Sequence, residues 1–535
     1  MLADLAALAG IVLGLVGIAS ILVVRGGVYF SQWAPDVFIP LNGVLHIFAG
    51  QWPHRDFVTP VGSLWYAINA LPALILPLTV SVTVWANLII GVIAAVATFG
   101  VALGKIPRWM VCLCAFYTGL VALSPRQIGE GFEHISNNAS YNRYCWSLIC
   151  VIALAALLPS PHGTTRTRER VDGVVAGLLI AMCFYIKVTY AAAGFGFLGL
   201  ALVTTRGLTG WRFAAWAVCT AVGTIAIAAI ITGDLPGYLA DLQTAVAVLP
   251  HTARTVQALN QLGYTMPGLL FVALAARLAK AGPTGLHGSF GPGAWAGVLT
   301  VVAGLAIEVQ NHPEPECPLL PVALLIGWTA SRLETDGPHR FSKGSGNIAS
   351  CSFLVFVLVL DLCAVAWTAI APVETGPTIA WLSGTQVTDL RIAAHYTGPE
   401  PHDRMILQID SQIIARWNEA IVMLRPHLQG RHDVTVFPFM WSNPFPVMLG
   451  LRPVRHEIAW WDANRTFNVA HKPAPDAILD GVDYVLVPKD YVHPDTREVM
   501  LAAYGSDLQR TFTAVDHTAH WALWARRTCA RRSLC

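Results

Sequence analysis

Apolar stretches of about 16 to 25 residues recur along the first two thirds of the chain, from Leu5 to Ile370, and then stop. Each is long enough for a helix to cross a hydrocarbon core about 30 Å thick. The predicted membrane segments are residues 4–24, 61–78, 82–104, 108–124, 143–158, 171–186, 189–205, 211–232, 262–279, 293–309, 318–332 and 349–371. The pattern predicts a mainly α protein, with a polytopic transmembrane helical bundle of about 11–13 spans in residues 1–372.

Beyond residue 372 the pattern becomes that of an ordinary α/β domain, in which helical and strand periodicities alternate. Helices are predicted at 405–428 and 496–504, and strands at 434–438, 483–487 and 521–524. Tyr484 and Trp521 are predicted core aromatics of this part. Residues 373–535 are therefore predicted to form a separate soluble α/β domain.

The composition supports a membrane protein, because 55% of the residues are hydrophobic and only 12% are charged. That charged fraction is about half of what a soluble domain carries. A net charge of +2, with no basic stripe between aromatics, argues against a nucleic-acid partner. The first apolar run lacks a basic n-region and a small-residue cleavage site, so we expect a retained helix and not a signal peptide.

Positive charges cluster in five short connections, which the positive-inside rule assigns to the cytoplasm. They are Lys105 and Arg108; Arg166, Arg168 and Arg170; Arg206 and Arg212; Arg277 and Lys280; and Arg332, Arg340 and Lys343. This assignment predicts a multi-pass protein of the inner (plasma) membrane with an extracytoplasmic C-terminal domain. Two full crossings between 61 and 104 would contradict it, because they put Lys105 on the same side as the loop at 25–60. Either one segment there is re-entrant or interfacial, or the rule fails at Lys105.

The first long loop holds two carboxylates near the predicted membrane surface, Asp36 and Asp56, together with His54 and Arg55. A carboxylate at that boundary can act as general base for an acceptor hydroxyl that attacks an anomeric carbon. The alternative for Asp36 is purely structural, because Pro35-Asp36 before an apolar run also suits a helix N-cap.

Residues 29–66 resemble the first extracytoplasmic loop of the GT-C membrane glycosyltransferases, which include protein O-mannosyltransferases and lipid A aminoarabinose transferases. In that family an early acid is followed by a juxtamembrane helix, a Gly-x-x-Pro-x-x-Asp-Phe type segment and a Pro/Gly-rich entry to the next helix. The matching residues here are Asp36, Gly50-Gln-Trp-Pro-His-Arg-Asp56-Phe57 and Thr59-Pro-Val-Gly62. Val37 departs from the pattern, since several members carry a second acid there.

The resemblance implies transfer of a sugar from a polyprenyl-phosphate donor in the membrane to a glycan, lipid or protein acceptor outside the cytoplasm. It places Asp36 at the position of the catalytic carboxylate. Arg55 and Asp56 lie in the matching segment and are candidate substrate-binding residues.

The densest polar cluster between predicted spans lies in the loop after the fourth span. Arg126 and Arg143 are candidates to bind the donor phosphate, and Asn142 to bind a sugar hydroxyl. Glu133 and His134 are candidates to steer the acceptor or to bind a divalent cation. The alternative is an ordinary solvated loop in which Arg143 anchors a helix at the interface.

Lys187 lies within an apolar stretch, at the predicted outer turn between two helices. A charged side chain is costly within an apolar stretch, so its presence there indicates that it interacts with a polar group. GT-C proteins often carry a lysine at an equivalent turn, so Lys187 resembles a ligand for the lipid phosphate. The alternative is a lysine that snorkels to the interface.

Two further segments are weaker candidates. Asn311 and His312 belong to an outer loop rich in acceptors, which suits donor or acceptor binding, although no paired ligand spacing indicates a metal. In the soluble domain, residues 437–446 and 460–462 place tryptophans beside polar groups. Such segments either stack on sugars or form an aromatic core.

A transporter or lipid flippase is the alternative function. Such proteins place charges and broken helices near the bilayer midplane, often in two related halves. The sequence shows no half repeat, and apart from Lys187 its acids and bases cluster toward one face. This asymmetry favours chemistry at the membrane surface.

Overall fold

A computed structural model describes most of the chain. The described residues are 2–24, 34–79, 81–124, 140–161, 163–204, 208–248, 292–310, 318–342, 388–389, 406–407, 411–490 and 494–527.

Long apolar helices dominate the first part of the chain. They are α1 (Leu2–Val24), α2 (Phe38–Phe48), α3 (Ser63–Ala73), α4 (Ser81–Ala102), α5 (Arg108–Leu123), α6 (Ser140–Leu157), α7 (Arg166–Ile186), α8 (Val188–Thr204), α9 (Leu208–Thr232), α10 (Leu235–Val248), α11 (Pro292–Gln310) and α12 (Leu320–Ser342). A 3-10 turn at Ala34–Val37 leads directly into α2.

Four of the described helices are long and apolar enough to cross a membrane: Leu2–Val23, Ser81–Ala102, Ser140–Leu157 and Gly210–Thr232. Shorter apolar helices lie at Pro35–Phe48, Arg108–Leu123, Val188–Thr204, Trp295–Glu308 and Leu320–Ala330. The chain is therefore a polytopic helical membrane protein, as the apolar pattern predicts. The segments predicted at 262–279 and 349–371 lie outside the described residues.

Ion pairs mark one end of the helical bundle, which we call the basic end. Lys105 Nζ lies 2.9 Å from a carboxylate oxygen of Asp172, and both side chains are buried. Arg108 pairs with Asp4 at 2.7 Å. These contacts bring together the start of α1, the end of α4 and the starts of α5 and α7. Three of the connections with predicted cytoplasmic charge, those at 105, 166–170 and 212, meet here.

The opposite end of the bundle, which we call the loop end, receives the first long loop. The Gly62 N–H donates to the carbonyl of Ile186 at the end of α7 over 2.9 Å. The Trp65 indole donates to Ser140 Oγ at the start of α6 over 2.9 Å. The side chain of Arg55 reaches Thr232 at the end of α9.

Helix α3 resolves the conflict over Lys105. It has 11 residues, about 16 Å of helix at 1.5 Å per residue, which is half of what a crossing requires. Since α3 begins at the loop end and α4 finishes at the basic end, the chain crosses only once between 61 and 105. The segment predicted at 61–78 is thus a short helix that does not span, and Lys105 lies at the same end of the bundle as the charges at 166–170.

Glycines on α7 allow it to pack closely against α9. A Cβ added at Gly173 would lie 2.7 Å from the Phe213 carbonyl oxygen, and one at Gly177 would lie 2.4 Å from that of Ala217. This four-residue spacing of small residues is typical of close helix contacts in membranes. Because α7 and α9 pack closely, the end of α9 lies beside α7 at the loop end.

The C-terminal part is a small α/β unit. Its helices are α13 (Ser411–Leu428), α14 (Phe445–Leu449), α15 (Pro475–Leu479) and α16 (Pro494–Thr511), and its strands are β3 (Val436–Pro438), β4 (Tyr484–Pro488), β5 (Phe512–His517) and β6 (Trp521–Arg526). A two-residue pair, β1 (Thr388–Asp389) and β2 (Ile406–Leu407), precedes them.

The four longer strands form one mixed sheet in the order β3-β4-β6-β5. β3 and β4 are parallel, while β6 runs antiparallel to both of its neighbours. Tyr484 and Trp521 are buried, which confirms both as core aromatics. The sequence pattern did not predict β5, because its residues alternate poorly between buried and exposed positions and directly follow α16.

Candidate functional site

Asp36 lies in the 3-10 turn that opens the first loop helix, and it is only 6% exposed. The indole Nε1–H of Trp441, from the C-terminal unit, donates to Asp36 Oδ1 over 3.2 Å. The residue at the N-cap of α2 is Val37, and no side chain forms a cap hydrogen bond there. The structure thus places Asp36 at a junction between the membrane helices and the C-terminal unit, and not at the N-cap position.

Residues 441–443, which we call the docking segment, hold this junction together. Ser442 Oγ donates to the carbonyl of Pro35 over 2.7 Å, directly before Asp36. The Asn42 side-chain amide donates to the carbonyl of Asn443. Hydrogen bonds therefore fix the backbone on both sides of the Asp36–Trp441 contact.

Trp461 supports the docking segment from within the C-terminal unit. The Trp461 N–H donates to the Trp441 carbonyl over 2.7 Å. The Trp461 ring is buried against Phe437 and Phe467, with centroids 5.5 and 5.0 Å away. Trp461 is thus part of an aromatic core.

Burial raises the pKa of its neighbour Asp462 to about 6, against the opposing effect of Arg465.

A second contact joins the first loop to residues 455–459. The Val58 N–H donates to the Glu457 carbonyl and the Ala459 N–H to the Val58 carbonyl, both over 2.9 Å. In addition, the two ring nitrogens of His46 lie 2.6 Å from Gln51 Oε1 and 3.0 Å from Glu457 Oε1. His46 and Glu457 are both buried. This cluster fixes the end of α2 to the C-terminal unit.

Asp56 stabilises a tight turn of the loop. Its Oδ2 accepts the Trp52 N–H over 2.8 Å, and its Oδ1 lies 3.4 Å from the guanidinium of Arg455. The His54 backbone adopts a φ of 66° within this turn.

The same turn occurs a second time in the chain, at residues 462–467. There Thr466 Oγ1 accepts the N–H of Asp462 over 2.9 Å, and Asn464 has a φ of 63°. The bridging residue pairs are also equivalent, Pro53 with Phe57 and Ala463 with Phe467. Since Thr466 occupies the position of Asp56, the turn requires only a side-chain acceptor there.

Two acids, Asp241 of α10 and Asp234 directly before that helix, contact the loop. Asp241 Oδ2 accepts the Thr59 N–H over 3.1 Å and lies 2.7 Å from His54 Nδ1. Asp234 Oδ2 accepts the Trp52 indole N–H over 3.2 Å. Arg55 extends outward and is half-exposed, with its guanidinium 3.3 Å from the Thr232 carbonyl. The loop is therefore fastened on one side by α10 and on the other by the C-terminal unit.

Lys187 and Asn142 form a polar cluster at the loop end. Lys187 is the single extended residue between α7 and α8, with φ −156° and ψ 111°. Its ammonium donates to Asn142 Oδ1 over 2.9 Å and lies 4.6 Å from the centre of the Tyr141 ring. Arg143, next to Asn142 on α6, is almost completely buried. The structure thus brings Lys187 to Asn142, which lies 45 positions away in the chain, and Arg143 is the residue after Asn142 on α6.

A continuous set of contacts links this cluster to the first loop. Thr59 Oγ1 lies 2.9 Å from Tyr66 Oη, and the neighbouring Trp65 ring packs edge-on against Tyr141 with centroids 5.6 Å apart. Gly62 approaches α7 so closely that an added Cβ would lie 2.1 Å from the Tyr185 carbonyl oxygen. The loop and the lysine cluster consequently share the same end of the bundle.

Five predicted site residues lie outside the described residues: Arg126, Glu133, His134, Asn311 and His312. Within the described part of the chain, no group of three or more His, Cys, Asp and Glu side chains is arranged to hold a metal ion.

Sequence patterns did not identify several residues that organise the site, namely His46, Gln51, Asp241, Trp441 as an Asp36 partner, and Glu457. Their partners are remote in the chain, with 411 positions between His46 and Glu457 and 405 between Asp36 and Trp441. The one available signal was the polar character of residues 441–443 beside tryptophans.

No protein-family model matches the chain, and no curated protein sequence matches it. Solved structures similar to it include ArnT from Cupriavidus metallidurans in the apo state, which is 13% identical, with 97% of this chain and 98% of that chain covered and a TM-score of 0.47. ArnT bound to undecaprenyl phosphate is 12% identical, with 97% of each chain covered and a TM-score of 0.46.

The archaeal oligosaccharyltransferase AglB from Archaeoglobus fulgidus, in complex with an inhibitory peptide and a dolichol-phosphate, is 12% identical, with 98% of this chain and 74% of that chain covered and a TM-score of 0.41.

Proposed function

We propose that the protein is a membrane glycosyltransferase that moves a sugar from a polyprenyl-phosphate donor to an extracytoplasmic acceptor. The acceptor hydroxyl oxygen attacks the anomeric carbon as the bond from that carbon to the phosphate oxygen breaks. The hydroxyl proton passes to the Asp36 carboxylate. Polyprenyl phosphate leaves, with its negative charge stabilised by Lys187 and Arg143.

The position of Asp36 is the observation on which this proposal depends. It is a buried carboxylate at the meeting point of the first loop and the C-terminal unit. Burial of a charged carboxylate costs free energy. Buried ionisable groups therefore occur preferentially at functional sites. An indole N–H can only donate, so the Asp36 oxygen that it contacts serves as an acceptor, as a base requires.

Lys187 supplies the second element of the proposal. Its break between two helices places an ammonium at the loop end, on a bundle whose exposed surface is apolar. A lipid that lies in the membrane presents its phosphate at that depth, and a lysine is a common phosphate ligand. Asn142 holds the ammonium in place and adds an amide that can bind a sugar hydroxyl.

The transporter alternative receives less support from the arrangement of the charges. Among the described residues, the ion pairs Lys105–Asp172 and Arg108–Asp4 lie at the basic end, and the candidate site lies at the loop end. An alternating-access site is expected near the bilayer midplane. The separation into two ends favours chemistry at one surface.

The proposal is tested with the full-length protein in liposomes, supplied with a panel of polyprenyl-phosphate-linked hexoses and pentoses. We expect release of polyprenyl phosphate with at least one donor in the presence of an acceptor. A parallel assay in sealed vesicles follows the intact donor across the membrane. Movement of the intact donor with no release from any of the donors would support a transporter and contradict the proposal.

A further inference from the structure

The contact between Asp36 and Trp441 crosses from one predicted domain to the other. Asp36 belongs to the membrane helices, while Trp441 follows strand β3 of the C-terminal unit. A base that must meet a reacting hydroxyl requires a fixed orientation, because small displacements of a reacting group cost large factors in rate. The partner that orients Asp36 is therefore a part of how the site works.

We propose that Trp441 is a positioning residue for Asp36, so that docking of the C-terminal unit helps to orient the base. This inference rests on the proposed function, and it goes beyond it by making the C-terminal unit a required part of the active site. The unit would then control turnover through a single indole N–H, in addition to any contact it makes with an acceptor.

The surroundings of Trp441 are built to hold its indole in one place. Its own carbonyl accepts the N–H of the buried Trp461. The next residue, Ser442, ties to the carbonyl of Pro35, and Asn443 is bound by Asn42. Three consecutive residues thus each make a contact that fixes the segment against the first loop or the domain core.

The second contact region supports the same conclusion from a separate position. Backbone hydrogen bonds between Val58 and the segment at 457–459, together with the buried His46–Glu457 contact, prevent the C-terminal unit from rotating about the docking segment. Two attachment points define an orientation, whereas one would leave a hinge. The indole therefore reaches Asp36 in a defined direction.

The hydrogen bond has a predictable effect on rate. A hydrogen bond to a charged group is among the stronger ones in proteins, and its loss here would remove one of the contacts that orient Asp36. We expect Trp441→Phe to lower kcat by about tenfold or more while the KM for the lipid donor stays the same. Replacement of the indole by the isosteric benzothiophene of 3-benzothienylalanine removes only the N–H, and we expect the same loss.

The experiment is a double-mutant cycle in the full-length protein, with release of polyprenyl phosphate as the readout. Trp441→Phe is made in the wild type and in Asp36→Asn, and thermal unfolding confirms that each variant is folded. Trp524→Phe, on strand β6 away from Asp36, is the matched control and should keep the wild-type kcat. The benzothienyl variant covers the case in which Trp441→Phe does not fold.

If Trp441 acts through Asp36, its replacement lowers kcat in the wild type and has no further effect in Asp36→Asn. An equal loss in both backgrounds, or an unchanged kcat for the benzothienyl variant, would overturn the positioning role and leave the proposed function intact. A wild-type rate for Asp36→Asn itself would overturn both, and it is seen before Trp441 is changed.

Discussion

The ammonium of Lys187 donates to Asn142 Oδ1 over 2.9 Å, which joins the break between α7 and α8 to the first turn of α6. If this ammonium stabilises the departing phosphate, Lys187→Met should lower kcat by about a hundredfold, the size expected for loss of one charge-stabilising group. Lys187→Arg keeps the positive charge and should retain more activity. The release of polyprenyl phosphate by the two variants measures the difference. Similar kcat values for Met and Arg at this position would exclude the phosphate role.

The turn that Asp56 stabilises should tolerate any short side-chain acceptor. Asp56→Ser keeps an acceptor for the Trp52 N–H, as Thr466 does in the equivalent turn, so its unfolding free energy should change little. Asp56→Ala removes the acceptor and should lower that free energy by about 1 kcal/mol. Thermal unfolding in detergent compares the two variants. A stable Asp56→Ser variant that has lost activity would instead indicate that the carboxylate contacts substrate.

Gly62 should be intolerant of a side chain. A Cβ there would lie 2.1 Å from the carbonyl oxygen of Tyr185, and backbone cannot move aside as a flexible side chain can. We expect Gly62→Ala to cost about 3 kcal/mol or more and to reduce turnover, because it displaces the α7 end next to Lys187. Gly17→Ala in α1 is the matched control, since an added Cβ meets nothing within 4 Å. Equal unfolding midpoints for the two variants would show that this close approach does not exist.

Asp462 should make the protein less stable as the pH rises. Burial raises its pKa from 3.8 to about 6 in the folded state, so the folded protein holds this proton more tightly than the unfolded chain does. The stabilising effect of the proton is complete below about pH 4 and is lost as the pH rises through about 6. At pH 7.5 the charged carboxylate costs up to about 3 kcal/mol.

The variant Asp462→Asn should therefore unfold at a higher temperature than the wild type at pH 7.5, and at a similar temperature near pH 4. The exposed Arg465, 3.3 Å from the carboxylate, offsets part of the cost and loses a partner in the variant. Unfolding midpoints across this pH range measure the effect. A variant that is less stable than the wild type at pH 7.5 would show that the ion pair outweighs burial.

The sequence predicted much of the bundle, because long apolar runs report directly on helices that face lipid. The predicted span at 82–104 corresponds to α4 at 81–102, and that at 108–124 to α5 at 108–123. The error at 61–78 has a clear cause. Apolar residues continue past α3 to Leu78, but the helix itself ends at Ala73, directly after Pro72. The hydropathy of residues 61–78 reflects their apolar composition and does not show where the helix ends.

The site was only partly predictable. Asn142, Arg143 and Lys187 were singled out because polar groups near hydrocarbon are costly, and that physical reason does not depend on their partners. Trp441 and Glu457 could not be paired with Asp36 and His46 from sequence, since those contacts depend on how the C-terminal unit packs on the first loop. Asp56 was singled out by its position in a motif, and the repeated turn explains its presence by backbone geometry.

The role of Asp36 is tested most directly by the rate of polyprenyl-phosphate release from a lipid-linked sugar, measured for wild type, Asp36→Asn and Asp490→Asn. The control changes a carboxylate on the surface of the C-terminal unit, where it pairs only with Arg416 among the described residues. We expect Asp36→Asn to lose at least about a hundredfold in kcat, as for a positioned base, and Asp490→Asn to match the wild type. Equal rates for wild type and Asp36→Asn would contradict the proposed mechanism.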